Sequence, residues 1–153
     1  MSEGMLLEVI EDDSMGRVTT RITVENLKDL WDFERGMLPA EQVRRIEIME
    51  ALVDTGSTMF ALPKRYIETL GLKKVRDRNV VTTAGVRNAA VFDAVRLTIM
   101  GRDCTVEVME VPDIAHALVG QIPLEILDLV VNPMAGTLTG NPEHGGEHVL
   151  ELL

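Results

Sequence analysis

The stretch from Asn79 to Pro112, NVVTTAGVRNAAVFDAVRLTIMGRDCTVEVMEVP, restricts the fold more than any other part of the chain. It is rich in β-branched residues and is punctuated by Gly85 and Gly101. Such a pattern predicts two successive hairpins, turning near Thr83-Ala84-Gly85 and near Gly101-Arg102-Asp103. Further strands follow from the same rules. Arg17 to Val24 alternates apolar and polar residues. The segment RRIEIMEALVDTG alternates at Ile46 and Ile48 and then turns continuously apolar, predicting a strand that passes from partly exposed to fully buried. STMFALP continues extended, HALVGQ reads as a buried strand, GTLTG as a short one, and Val149 to Leu153 as a strand-like apolar end.

Three short helices interrupt this pattern. Asn26 is placed to cap a helix that presents Leu27, Leu30 and Trp31 to the core and ends at Gly36. Pro63 and Gly71 bracket a second helix of one to two turns. A third opens at Pro123 and stops before Pro133. The sum is a mainly β domain, closed or sandwich-like, with two or three short helices. At 153 residues the chain is sized for one domain, expected over 16–153 behind an acidic, loosely patterned segment 1–15.

Charge and cysteine content exclude several function classes. The formal net charge is −10 and the sequence pI about 4.7. Such a surface repels nucleic acid phosphates and anionic membranes, so neither is an expected partner. Aromatic residues make up only 3% of the chain, which leaves the core to Val, Leu, Ile, Met and Ala. Cys104 is the lone cysteine and reads as a small core hydrophobe in a reducing, cytoplasmic setting. The N-terminus lacks the basic and apolar regions of a signal peptide, and no stretch approaches the roughly 20 apolar residues of a membrane helix.

One residue conflicts with a purely structural reading. Asp54 ends the apolar run ALV, and burying a carboxylate there is costly unless it is paired or used. Thr55-Gly56-Ser57 follows at once, a turn suited to close backbone approach. A hairpin with a glycine-containing tip lies about thirty residues further on, and ALVG, an apolar run ending in Gly120, leads into an amphipathic helix.

In this ordered combination the chain resembles the retropepsin-like aspartic proteases, the single-domain relatives of pepsin that include retroviral proteases and bacterial homologues. The resemblance rests on ALVDTGSTMFALP (51–63), VVTTAGVRNA (80–89) and ALVGQIPLEILDLVV (117–131), and spans roughly residues 44–140. It implies an all-β acid-protease barrel and an aspartic endopeptidase. Asp54 would be the catalytic carboxylate. Thr55, Gly56 and Ser57 would support the catalytic loop, with Thr55 locking two such loops together. Thr83, Ala84 and Gly85 would form the tip of a substrate-covering flap, and Leu118, Val119 and Gly120 would lie beneath the loop. The helix at 26–36 reads as an insertion relative to compact viral members.

The chemistry suits those residue types. Two carboxylates about 3 Å apart cannot both ionise and share one proton. The ionised oxygen takes a proton from water, and the protonated one supports the carbonyl and later supplies the leaving nitrogen. No metal, cofactor or covalent intermediate is required. The chain holds one Asp-Thr-Gly and no second Asp-Thr-Gly or Asp-Ser-Gly. A dyad therefore requires a two-fold homodimer acting on an extended peptide, with the N-terminal strand and HVLELL as expected interface elements. The rival reading is a non-catalytic peptide-binding or regulatory module on the same fold. His144 and His148, beside Glu143 and Glu147, have helical metal-ligand spacing, but Gly145-Gly146 disfavours a helix and a solvated tail is expected, without metal. His116 reads as a loop residue.

Overall fold

The computed structural model describes residues 17–151, so the acidic segment 1–15, Leu152 and Leu153 lie outside the described residues. The elements run β1 Thr19–Asn26, α1 Leu27–Glu34, β2 Arg45–Val53, β3 Phe60–Pro63, α2 Lys64–Leu70, β4 Lys74–Thr82, β5 Gly85–Ile99, β6 Arg102–Val111, β7 Leu118–Val119, α3 Gln121–Leu127, β8 Leu129–Asn132 and β9 Thr137–Gly140. Short 3-10 turns occupy Ala40–Gln42 and Pro142–His144.

Seven strands form one sheet in the order β1-β2-β7-β3-β6-β5-β4, and a further β1–β5 pairing closes it into a ring. The long strand β5 makes closure possible. Its first half pairs with β4, and its second half pairs with β1 on one side and β6 on the other. A register shift between Phe92 and Val95 bends it between these two tasks. Ile22, Val24, Phe60, Leu62, Val95, Leu97, Ile99, Val108 and Val119 fill the ring interior. Cys104 is buried with them, and burial pushes its thiol up to about 11, so it stays an inert hydrophobe. The mainly β, closed architecture with three short helices is the one the sequence predicts. Both predicted hairpins are present, turning at Thr83-Ala84 and Met100-Gly101.

Several local expectations are corrected. The apolar run in β2 is not fully buried: Met49 is 64% exposed and Glu50 is exposed too. A register shift opposite Thr20–Ile22 adds a residue to β2, so the buried face moves from Ile48 to Ala51 and Val53. Trp31 does not face the core; it is 47% exposed. The buried side of α1 carries Leu27, Asp29 and Leu30 instead. Asp29 is drawn inward because its amide is capped by the Asn26 side chain at 3.0 Å, while its carboxylate takes both Nε and a terminal nitrogen of Arg44, at 2.8 and 3.0 Å. Hydrogen bonding from Arg44 holds the Asp29 carboxyl below its usual range. Asn26 also donates to the Leu70 carbonyl at 2.8 Å and so ties α1 to the end of α2.

β4 begins at Lys74 rather than near Asn79, because a largely exposed outer strand tolerates the charged run KVRDR. β1 is paired to β5 along Thr23–Asn26 as well as to β2, so most of it is committed to the ring rather than left for an interface. The third helix ends at Leu127, and residues 129–132 form β8 rather than more helix. Asp128 stops it in a left-handed conformation at φ 56°.

Asp128 also corrects the expectation of a solvated tail and of a terminal strand. It is buried, and its carboxylate accepts from His144 Nδ1 at 2.7 Å, the Val149 amide at 3.0 Å and Asn141 Nδ2 at 3.2 Å. His144 Nε2 meets Glu151 at 3.2 Å, and Arg102 reaches the Leu127, Asp128 and Gly146 carbonyls. Val149 to Glu151 form no strand, since the Val149 amide is spent on Asp128. Burial by itself would raise the Asp128 carboxyl, but its hydrogen bonds, led by that from His144, outweigh it and hold the group down at about 2. Asp128 and then Glu151 raise His144 above its usual value. The Asp128 contribution is therefore complete above about pH 4 and fades as pH falls towards 2. The His144 contribution is complete below about pH 6.5 and fades as pH rises through the raised value. Thermal unfolding followed against pH should show the wild type most stable between these limits, and His144→Gln should lose the alkaline decline in melting temperature.

Candidate active site

The connection from β2 to β3 determines the site. These strands follow one another in sequence but are not neighbours, because β7 lies between them, parallel to β2 and antiparallel to β3. The loop 54–59 must therefore cross the end of β7. Its backbone is bonded to the β7–α3 junction at Asp54 and again at Ser57, Thr58 and Met59. Asp54 donates to the Val119 carbonyl at 3.0 Å, and Gly120 donates to Met59 at 3.1 Å. The first amides of α3, Gln121 and Ile122, donate to the Ser57 and Thr58 carbonyls at 2.8 and 2.9 Å. Helix amides that would otherwise lack partners thus hold the loop.

The approach leaves no room for a side chain at Gly120. A Cβ there would lie 2.5 Å from the Met59 carbonyl oxygen and 2.7 Å from that of Ser57. The end of β7 and the glycine after it, Val119-Gly120, lie directly against the 54–59 loop.

Within the loop, the Asp54 carboxylate is held at both oxygens. The Gly56 amide donates to Oδ1 at 2.9 Å, and the Ser57 hydroxyl donates to Oδ2 at 2.9 Å. Gly56 is also confined, since a Cβ would meet Asp54 Oδ1 at 3.1 Å. Asp54 is half-buried, whereas Thr55 is exposed and its hydroxyl makes no hydrogen bond among the described residues.

Above this loop opens a cleft of about 1170 Å³. Gly56 and Ser57 lie on one wall, and the β4–β5 hairpin supplies the other through residues 78–82 and 87–90. The hairpin tip is tight: Thr82 pairs with Gly85, the Thr82 hydroxyl donates to the Gly85 carbonyl at 2.8 Å, and it accepts from the Ala84 amide at 3.1 Å. Gly85 has φ +104°, which favours glycine. Thr83, Ala84 and Gly85 form the exposed tip and do not line the cleft; the stem does.

Residues 45–136 match the family model described as gag-polyprotein putative aspartyl protease. The chain belongs to the retropepsin-like aspartyl proteases. The match runs from the start of β2 to just before β9 and includes the Asp54 loop, the hairpin and α3, while β1 and α1 precede it. A search of curated proteins returned no match. In this aspartyl protease-like domain the closed ring brings together the loop at 54–57 and the stretch 118–120, and places the hairpin across the cleft. It does not gather His144, His148 and Glu143 into a ligand set: among the described residues no three His, Cys, Asp or Glu side chains are placed to hold a metal ion. His116 is an exposed loop residue within 2.6 Å of Arg17.

Two features of this retropepsin-like site went unread in sequence. Val81 and Val86 face each other across the hairpin and are 87% and 62% exposed, an apolar pair next to the tip. The apolar residues either side of a glycine turn are the signal that could have found them. The cleft walls also carry Lys64, Arg78, Arg87 and Glu110, which only the tertiary fold brings together. No helix among the described residues is long and apolar enough to cross a membrane.

Backbone atoms cannot yield as a flexible side chain would, so Gly120→Ala should force the loop away from β7. The expected cost is about 2–4 kcal/mol in urea unfolding, against about 1–2 kcal/mol for Gly101→Ala, where φ is +77° but no atom crowds the open Cβ position.

Proposed function

We propose that the chain is an aspartic endopeptidase that hydrolyses peptide bonds with a water held between the Asp54 carboxylates of two copies. The observation carrying this reading is the Asp54 carboxylate, gripped at both oxygens by the Gly56 amide and the Ser57 hydroxyl on a loop that borders a peptide-sized cleft.

One Asp54 per chain makes the second copy necessary. Exposed Thr55 and Gly56 at the loop tip are where two loops would meet on a two-fold axis, Thr55 supplying the interlocking hydroxyl. Two facing carboxylates share one proton. The ionised oxygen deprotonates water, which attacks the peptide carbonyl. The protonated oxygen hydrogen-bonds the developing oxyanion, and a proton then passes to the leaving nitrogen. Ser57 and Gly56 fix the carboxylate's orientation throughout.

The β4–β5 hairpin acts as the flap, with its Thr83-Ala84-Gly85 tip closing over an extended peptide and presenting backbone groups to it. Ala61, Leu118 and Ile122 in the cleft favour apolar residues at the cut. The domain comprises 16–153 with α1 as an insertion, and the residues after His148 contribute to the dimer. The buried thiol of Cys104 suits a cytoplasmic setting.

Incubating wild type and Asp54→Asn with an unstructured polypeptide at about pH 4–6 tests the reading. Cleavage by the wild type should fall at least about a thousandfold in the variant. Sedimentation under the same conditions should show a dimer. Equal cleavage by both proteins, or cleavage by a strict monomer, would defeat the proposal.

A further inference from the structure

The charges on the cleft walls depart from the balance of the chain. Its 25 acidic residues outnumber its 15 lysines and arginines. Around the cleft, Arg76 is paired with Glu107, Lys74 with Asp77, and Arg65 with Asp113. Lys64, Arg78 and Arg87 line the cleft and form no ion pair among the described residues; the Arg87 guanidinium makes one long hydrogen bond there, 3.4 Å, to the Val86 carbonyl. On the acidic side of the lining, Asp113 is neutralised by Arg65, which leaves Glu110 on β6.

The strand register gives the arginines a common direction. Val80 pairs with Arg87 and Arg78 with Ala89, so both arginines stand on the same face of the hairpin, diagonal to each other. Lys64 approaches from the other side, at the start of α2. An extended peptide directs alternate side chains to one wall, and a guanidinium takes a carboxylate through two parallel hydrogen bonds.

Resting on the protease reading above, we propose that the cleft selects peptides with acidic side chains beside an apolar cleavage point, and that Arg78 and Arg87 are the specificity-determining residues. The apolar cleft residues hold the side chains at the bond, and the arginines hold a Glu or Asp one or two residues away. Because the cations are exposed, the preference acts on encounter and KM and weakens with salt.

Matched peptides carrying Glu, Gln or Lys on either side of the same apolar pair, assayed at about pH 6, test this. The wild type should cleave the Glu peptide with a kcat/KM about fivefold above the Gln peptide, carried by KM and shrinking towards unity in about 0.5 M salt. Arg78→Glu combined with Arg87→Glu should reverse the order in favour of the Lys peptide. Equal kcat/KM for Glu and Gln peptides would overturn the inference while leaving the protease intact. If no peptide is cleaved, fluorescence anisotropy with the same labelled peptides decides separately. A Glu preference in binding upholds the charge selection although the protease reading has fallen, and equal or absent binding overturns it. Competition by a single-stranded oligonucleotide as strong as that of the Glu peptide would also overturn it, since the cleft would then read phosphate rather than peptide.

Discussion

A two-residue strand, Leu118–Val119, sits between β2 and β3, and the position of the Asp54 loop follows from that placement. Because β7 separates strands that are consecutive in sequence, the loop joining them has to pass over its end. It does so at a separation that only a residue without a side chain permits at Gly120. The α3 amides complete the arrangement by donating to the loop carbonyls. Each such hydrogen bond is modest in net energy, about 1 kcal/mol, but together they anchor the loop on both sides of its Thr55-Gly56 tip. The Asp54 carboxylate inherits its rigidity from this backbone lattice.

The rest of the ring supports that junction from a distance. Bends in β2 and β5 let the sheet close on β1. Two polar hubs secure the periphery. Asp29 with Arg44 and Asn26 joins α1 to α2, and Asp128 with His144 and Asn141 fastens the C-terminal segment under α3. Buried carboxylates are tolerated in both because every one is matched by donors, which is the condition under which burying charge does not destabilise a fold. Asp54 is satisfied differently. It has one amide and one hydroxyl and no cation, so it is oriented without being neutralised.

The legibility of the chain followed the range of the interactions involved. The hairpins, the Asn26 cap and the Gly71 helix end were readable because each is decided within a few residues. The Asp54 loop was readable because its motif encodes its own hydrogen bonds at offsets of two and three residues. Trp31 was misread because helical spacing alone ignores Arg44, fifteen residues beyond the Asp29 that it draws inward. The end of α3 was missed because Asp128, rather than a glycine, adopts the left-handed conformation, sustained by partners 13 to 21 residues away. The β2 run looked buried throughout because a register shift depends on the partner strand and not on the strand itself.

By itself, then, the sequence determined a β-dominated chain with one activated-looking aspartate and glycines at the places where backbone must turn or approach. Hydrophobic alternation and short-range hydrogen bonding write those features locally. The tertiary structure decided which strand β7 slips beside, that Gly120 lies under the loop, and that Arg78 and Arg87 share a cleft with Lys64. Those relations link residues tens of positions apart, and they exist only once burial of the common core has closed the sheet into a ring.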